Sequence, residues 1–168
     1  MEFIAQGFGW VATMFFLLSD LQDDDEKLDS YYTLGNVFFL VHLTLLQAWI
    51  PAATVLMAIA RNIINRKFDR RGVKVFFLMS FTSIFIVTFH FASDWQLALP
   101  ALVSVIMTVA FLYASKHWLT LASVTASLLW IVVGMHLNSW PIVALEIISI
   151  AFLSYRTVSI IKIDKNKN

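Results

Sequence analysis

The sequence predicts an all-α membrane protein: seven transmembrane helices in two parallel three-helix bundles joined by helix four, with the N-terminus outside and the C-terminus inside. Three observations carry this. First, the 168 residues are 60% hydrophobic and 14% charged, against about 45–50% and about 25% in a soluble domain. A core of this size cannot bury the surplus, so hydrocarbon must solvate it. Second, a seven-span path puts all 12 Lys and Arg on one side, which the positive-inside rule makes cytoplasmic. Six or eight spans would scatter them over both sides. Third, the turns assigned to the opposite side lack Lys and Arg and carry Trp49, Trp95 and Trp140, as headgroup-seeking indoles should.

A spanning helix needs about 20 mainly apolar residues. Before Lys27 there is room for one, helix one at 3–19. It is not read as a cleaved signal: Glu2 replaces the basic start, and no small-residue cleavage pattern precedes the acidic loop. Residues 28–60 hold a tight hairpin, helix two at 31–47 and helix three at 51–65, turning at Gln47–Pro51. A basic loop follows. Residues 75–115 accommodate helix four at 74–91 and helix five at 97–114, turning at Ser93–Gln96. Helix six at 118–136 and helix seven at 141–161 turn at Leu137–Pro141, with Trp118 at an inner end. Pro51 and Pro141 suit first-turn positions, where a missing N–H costs little. The organisation is therefore a first bundle at 1–66, a basic loop and linker helix at 67–96, a second bundle at 97–163 and a polar tail at 164–168.

The halves echo each other. Pro51 and Pro141 both follow a Trp-bearing turn, and Arg66 and Arg156 stand 15 residues after them. Thr13, Phe16 and Leu17 match Thr108, Phe111 and Leu112, 95 positions on. Helices one to three and five to seven share an orientation because helix four lies between them, a parallel repeat of the kind transporters use.

This layout resembles the SWEET and PnuC transporters. A closer resemblance is to the YgjV family of bacterial inner-membrane proteins. It is carried by Ala5-Gln6-Gly7 with Gly9, His42, Ile59-Ala60-Arg61-Asn62, and Trp130 with Glu146. The resemblance implies a multi-pass protein of the bacterial inner (plasma) membrane. Val133-Gly134 departs from the His-Asn or Tyr-Asn pair expected in helix six. The hinge prolines of SWEET sugar carriers are missing from helices one, two and six, which argues against sugar as substrate.

Composition excludes other classes. A net charge of +1 offers no field for nucleic acid. The absence of cysteine excludes disulfides, thiolate metal sites and thiol catalysis. No phosphate loop, zincin motif or nucleophile elbow is present, so no enzyme activity, cofactor or metal is expected. His90, Asp94 and His136 are too few and too scattered for a good metal site.

Glu146 is the one acid well inside a proposed span, about 7.5 Å along helix seven from Pro141. Charge in hydrocarbon is costly, so it should face protein or water. It either binds a cation or takes up a proton, or is an outer-leaflet carboxyl reaching backbone or headgroups. His42 lies at similar depth in helix two. It either faces a central cavity with Glu146 or is hydrogen-bonded within its own bundle. Asn36 reads as interhelical glue or as a contact to a polar ligand. Arg61 reads as a side chain snorkelling to the cytoplasmic interface or, with Asn62, as an anion site. Trp130 reads as packed core or as a stacking platform. Stripes of small residues (Ala5, Gly9, Thr13; Thr54, Ala58, Asn62; Ala122, Ala126) read as close-packing faces.

An acidic loop with Asp23, Asp24, Asp25 and Glu26 faces a basic loop with Arg66, Lys67, Arg70 and Arg71 on the same side. Both are solvated charge runs by default. Weak pairing between them, screened beyond about 8 Å, would bias an inward gate. A calcium loop is excluded by the missing EF-hand spacing. The functional expectation is a small-solute carrier or facilitator taking a polar solute. The second is a non-transporting scaffold acting through its charged loops. A bilayer is the implied partner in either case, and self-association into a homo-oligomer is left open.

Overall fold

Among the residues that the computed structural model describes (2–22, 24–67, 71–92, 94–113 and 116–165) the chain forms seven α-helices and no strand. They are α1 (Glu2–Asp20), α2 (Asp25–Leu45), α3 (Trp49–Lys67), α4 (Arg71–Phe91), α5 (Leu99–Tyr113), α6 (Lys116–His136) and α7 (Trp140–Lys165), with a 3-10 turn at Trp95–Ala98 leading into α5. Each falls on an expected span, and the ends move for local reasons. Helix α2 starts six residues earlier than hydropathy places it. The Asp24 carboxylate accepts the Lys27 backbone N–H at 3.2 Å, a side-chain N-cap, and acids in a first turn complement the helix dipole. The acidic run is thus partly a helix start.

The α2–α3 and α6–α7 turns are built alike. Gln47 (φ 58°) and Asn138 (φ 50°) take the left-handed conformation. The Ala48 N–H donates to Leu43 O at 2.9 Å and the Ser139 N–H to Gly134 O at 2.8 Å. Gln47 N–H donates to Thr44 O, and Asn138 N–H to Met135 O. This is a Schellman closure, repeated bond for bond. It aligns Leu43 with Gly134, His42 with Val133 and Ala48 with Ser139.

The helices close a ring. Contacts run in the order α1, α2, α3, α5, α6, α7 and back to α1, while α4 sits outside against α5 and α3. Among the described residues the backbones of α1 and α3 do not come within 8 Å of each other, nor do those of α5 and α7. Each half is therefore an arc at the level of the backbone, with its middle helix between the other two. Aromatic pairs lock α1 to α2: Phe15 stacks on Phe38 at 5.4 Å, and Phe16 meets Tyr32 edge-on at 5.4 Å. A Cβ on Gly35 would come within 2.9 Å of the Phe16 ring.

The outer surface is apolar. Phe3, Trp10, Met14, Leu56, Phe76, Met79, Val87, Phe89 and Ile147 are exposed, far more than a water-soluble surface carries. Trp49, Trp95 and Trp140 are exposed at one end of the ring. Among the described residues only α1 and Gly72–Phe91 are long and apolar enough to span on their own hydropathy. The polar residues that interrupt several other helices are turned inward, as follows.

Candidate functional site

The ring encloses a cavity of about 230 Å³ to which all six of its helices contribute and α4 does not. One flank is α1 and α2, with Phe16, Asp20, Tyr32, Asn36 and Phe39. Thr54, Val55, Ala58 and Arg61 come from α3, and Val103, Ser104 and Met107 from α5. Trp130 of α6 and Leu145, Glu146 and Ser149 of α7 complete it. The volume equals roughly eight waters at about 30 Å³ each. Asp20 and Tyr32, both exposed, place the cavity's reach at the end of the ring where α1 passes to α2.

Glu146 lines this space, near Ser127 of α6. Arg61 lines it too, and here the snorkelling expectation is corrected. Its side chain is 91% buried, because the ring holds it. Nη1 donates to Thr108 Oγ1 at 3.0 Å, Nε and Nη2 donate to Asn62 Oδ1 at 3.3 and 3.2 Å, and the guanidinium lies 5.7 Å over the Phe81 ring of α4. Asn62 acts as the brace for that guanidinium and does not line the cavity. Three of five N–H donors are thereby used, leaving one hydrogen on each terminal nitrogen. Among the described residues no carboxylate pairs with Arg61 and no cation pairs with Glu146.

Asn36 is a wall residue and not interhelical glue: its Nδ2 donates to Tyr32 O of its own helix at 2.8 Å. Trp130 both lines the cavity and packs edge-on against Phe39 at 5.3 Å. The stripe Thr54–Ala58 faces the cavity, whereas Ala5–Gly9–Thr13 is a packing face.

His42 is elsewhere. It is fully buried at the tryptophan end and does not line the cavity, so the shared site expected of His42 and Glu146 falls to Glu146. Ala5 O can only accept, so Nδ1 carries a hydrogen and donates to it at 2.7 Å. In the neutral ring Nε2 then accepts the Ser139 hydroxyl at 2.7 Å. The Ala5 bond stays within the first half, as the second reading of His42 expects, and the Ser139 bond crosses to the other half. Around it, Gln6 Nε2 donates to Asn138 O at 3.0 Å, and Thr13 Oγ1 to Gly9 O at 3.0 Å and Pro141 O at 3.3 Å. A Cβ on Gly9 would stand 2.9 Å from Pro141 and 3.0 Å from His42. This polar seam shuts the α1–α7 side of the ring.

Sequence reasoning missed Asp20, Tyr32, Ser104 and Ser149 as lining residues, and Thr108 and Ser139 as anchors. Thr108 was within reach, because the repeat aligns it with Thr13. Both threonines back-bond to the residue four earlier, Thr108 to Ser104 O at 2.6 Å. The side chains of Asp23, Asp25, Glu26, Arg66, Lys67, Arg70 and Arg71 lie outside the described residues, and with them the pairing between loops. His136 Nε2 and Asp94 approach to 3.8 Å, and no metal-binding group of three forms among the described residues.

No curated protein and no solved structure matches the chain. The profile of the Imp-YgjV family, described as "Bacterial inner membrane protein", matches residues 3–167. That span takes in the whole ring, the cavity and the seam, and the chain belongs to the Imp-YgjV family of bacterial inner membrane proteins.

Proposed function

We propose that this protein is a small-solute carrier or facilitator, not an enzyme, with its N-terminus outside and its C-terminus in the cytoplasm. The observation that carries the reading is the cavity: six helices from two repeated halves enclose polar and charged side chains in the middle of an otherwise apolar molecule. Polar groups at membrane depth are costly and mark solute pathways. A scaffold working through its loops needs no such space and favours a dry, close-packed centre.

The basic residues orient the ring by the positive-inside rule. The end with Asp20 and Tyr32 then faces the cytoplasm, and the His42–Ser139 seam lies toward the periplasm. In this reading the structure is an inward-facing state, with the seam as the closed outer gate. Alternating access moves one arc against the other, separating α1 from α7. The test is flux of a panel of small polar solutes into proteoliposomes of purified protein. Uptake above empty liposomes for some solute, lost in Glu146→Gln, is expected. No flux for any member of the panel would favour the scaffold.

A further inference from the structure

We infer that the cavity binds a small zwitterion, a solute carrying a carboxylate and an ammonium on one compact apolar scaffold. The inference rests on the carrier reading for its setting and names the substrate class of the same site. A buried charge is normally paired, since desolvation costs several kcal/mol per ion. Besides Asp20, which lines the cavity at its exposed end, two opposite charges, Arg61 on α3 and Glu146 on α7, line it and yet neither meets the other, or any other described residue, at ion-pair distance. Arg61 is nine-tenths buried and still has a hydrogen free on each terminal nitrogen, the fork geometry that grips a carboxylate. Glu146 offers the complementary acceptor for an ammonium.

A solute with one charge satisfies one of these groups and meets the other as a repulsion. A solute with both satisfies the two together. A volume of about 230 Å³ accommodates a solute the size of a single amino acid. Beside its polar groups the wall carries apolar side chains: Phe39, Val55, Val103, Trp130 and Leu145. They suit an aliphatic or aromatic side group. A net-neutral cargo also crosses without the cost of about 2.3 kcal/mol per charge per 100 mV that a membrane potential imposes.

The test is equilibrium binding by calorimetry to purified full-length protein in detergent, with two sets of probes. One set is L-leucine, 4-methylpentanoate and 3-methylbutylamine. The other is L-phenylalanine, 3-phenylpropionate and phenethylamine. In at least one set the zwitterion is expected to bind roughly 10- to 100-fold more tightly than either stripped analogue, the range for a lost charge-assisted bond. Glu146→Gln should erase the preference over the carboxylate probe. Arg61→Gln should erase the preference over the amine probe. Arg61→Lys, which keeps the charge if the glutamine variant misfolds, should retain zwitterion binding within about tenfold. A stripped analogue that binds as tightly as its parent, or no binding of either zwitterion, overturns the inference. Because binding is read without flux, the two proposals fail separately. Zwitterion binding without transport removes the carrier, and transport of a singly charged or neutral solute without zwitterion binding removes the zwitterion.

Discussion

His42 shows how a residue suited to proton chemistry is taken up by structure. Its two ring nitrogens hold Ala5 O on α1 and Ser139 Oγ at the start of α7, each at 2.7 Å. The imidazole therefore bridges three segments at the point where the ring closes. Its counterpart in the other half is Val133, and the counterpart of Ser139 is Ala48, so the equivalent pair of residues is apolar. Removing one partner of a buried hydrogen bond costs more than removing both. Ser139→Ala is expected to destabilise the fold by about 1–3 kcal/mol, read as a lower Tm in detergent. The double variant His42→Leu with Ser139→Ala should recover part of that loss. An unchanged Tm for the single variant would show that the bond contributes nothing.

At the scale of the element, the two hairpin turns dictate where neighbouring helices meet. Each ends its helix with a left-handed residue, and an L-residue other than Gly or Asn pays about 1–2 kcal/mol for that conformation. Gln47 is such a residue, and Asn138 is tolerated better. Gln47→Gly is therefore expected to stabilise the protein by about 1 kcal/mol and Asn138→Gly by less, both as a raised Tm. A lowered Tm for Gln47→Gly would mean that the glutamine side chain does more at this turn than its backbone costs. The turns also explain why hydropathy located the hairpins: Trp and Pro cluster there because the chain must reverse at the interface. It located the start of α2 less well, because a run of acids capped by Asp24 reads as loop when only hydropathy is weighed.

Across the whole molecule, a closed ring with α4 outside makes one polar interior and one apolar exterior. The orientation proposed for it rests on charge alone, and it is open to a direct check because the chain has no cysteine. Gln47 and Asp24 are both exposed, at opposite ends of α2. In cells with a permeable outer membrane, Gln47→Cys should react with a membrane-impermeant maleimide. Asp24→Cys should react only after the inner membrane is opened. The reverse pattern would invert the molecule and, with it, which way the cavity faces.

Hydropathy and charge made the number of helices, their approximate limits and the two like hairpin turns readable in the order of residues, because burial in hydrocarbon acts on each segment independently. They also marked Glu146, since any carboxyl at that depth must be sheltered. They did not show where around each helix a side chain points. In a bilayer the lipid-facing and partner-facing sides are both apolar, so the periodicity that separates inside from outside in a soluble helix is weak. Arg61 turning inward to Thr108, His42 bridging to Ser139 and Asp20 joining Tyr32 at the cavity follow only from packing six helices into a ring. Those contacts join residues as far as 97 positions apart, and a segment read alone contains none of its partners.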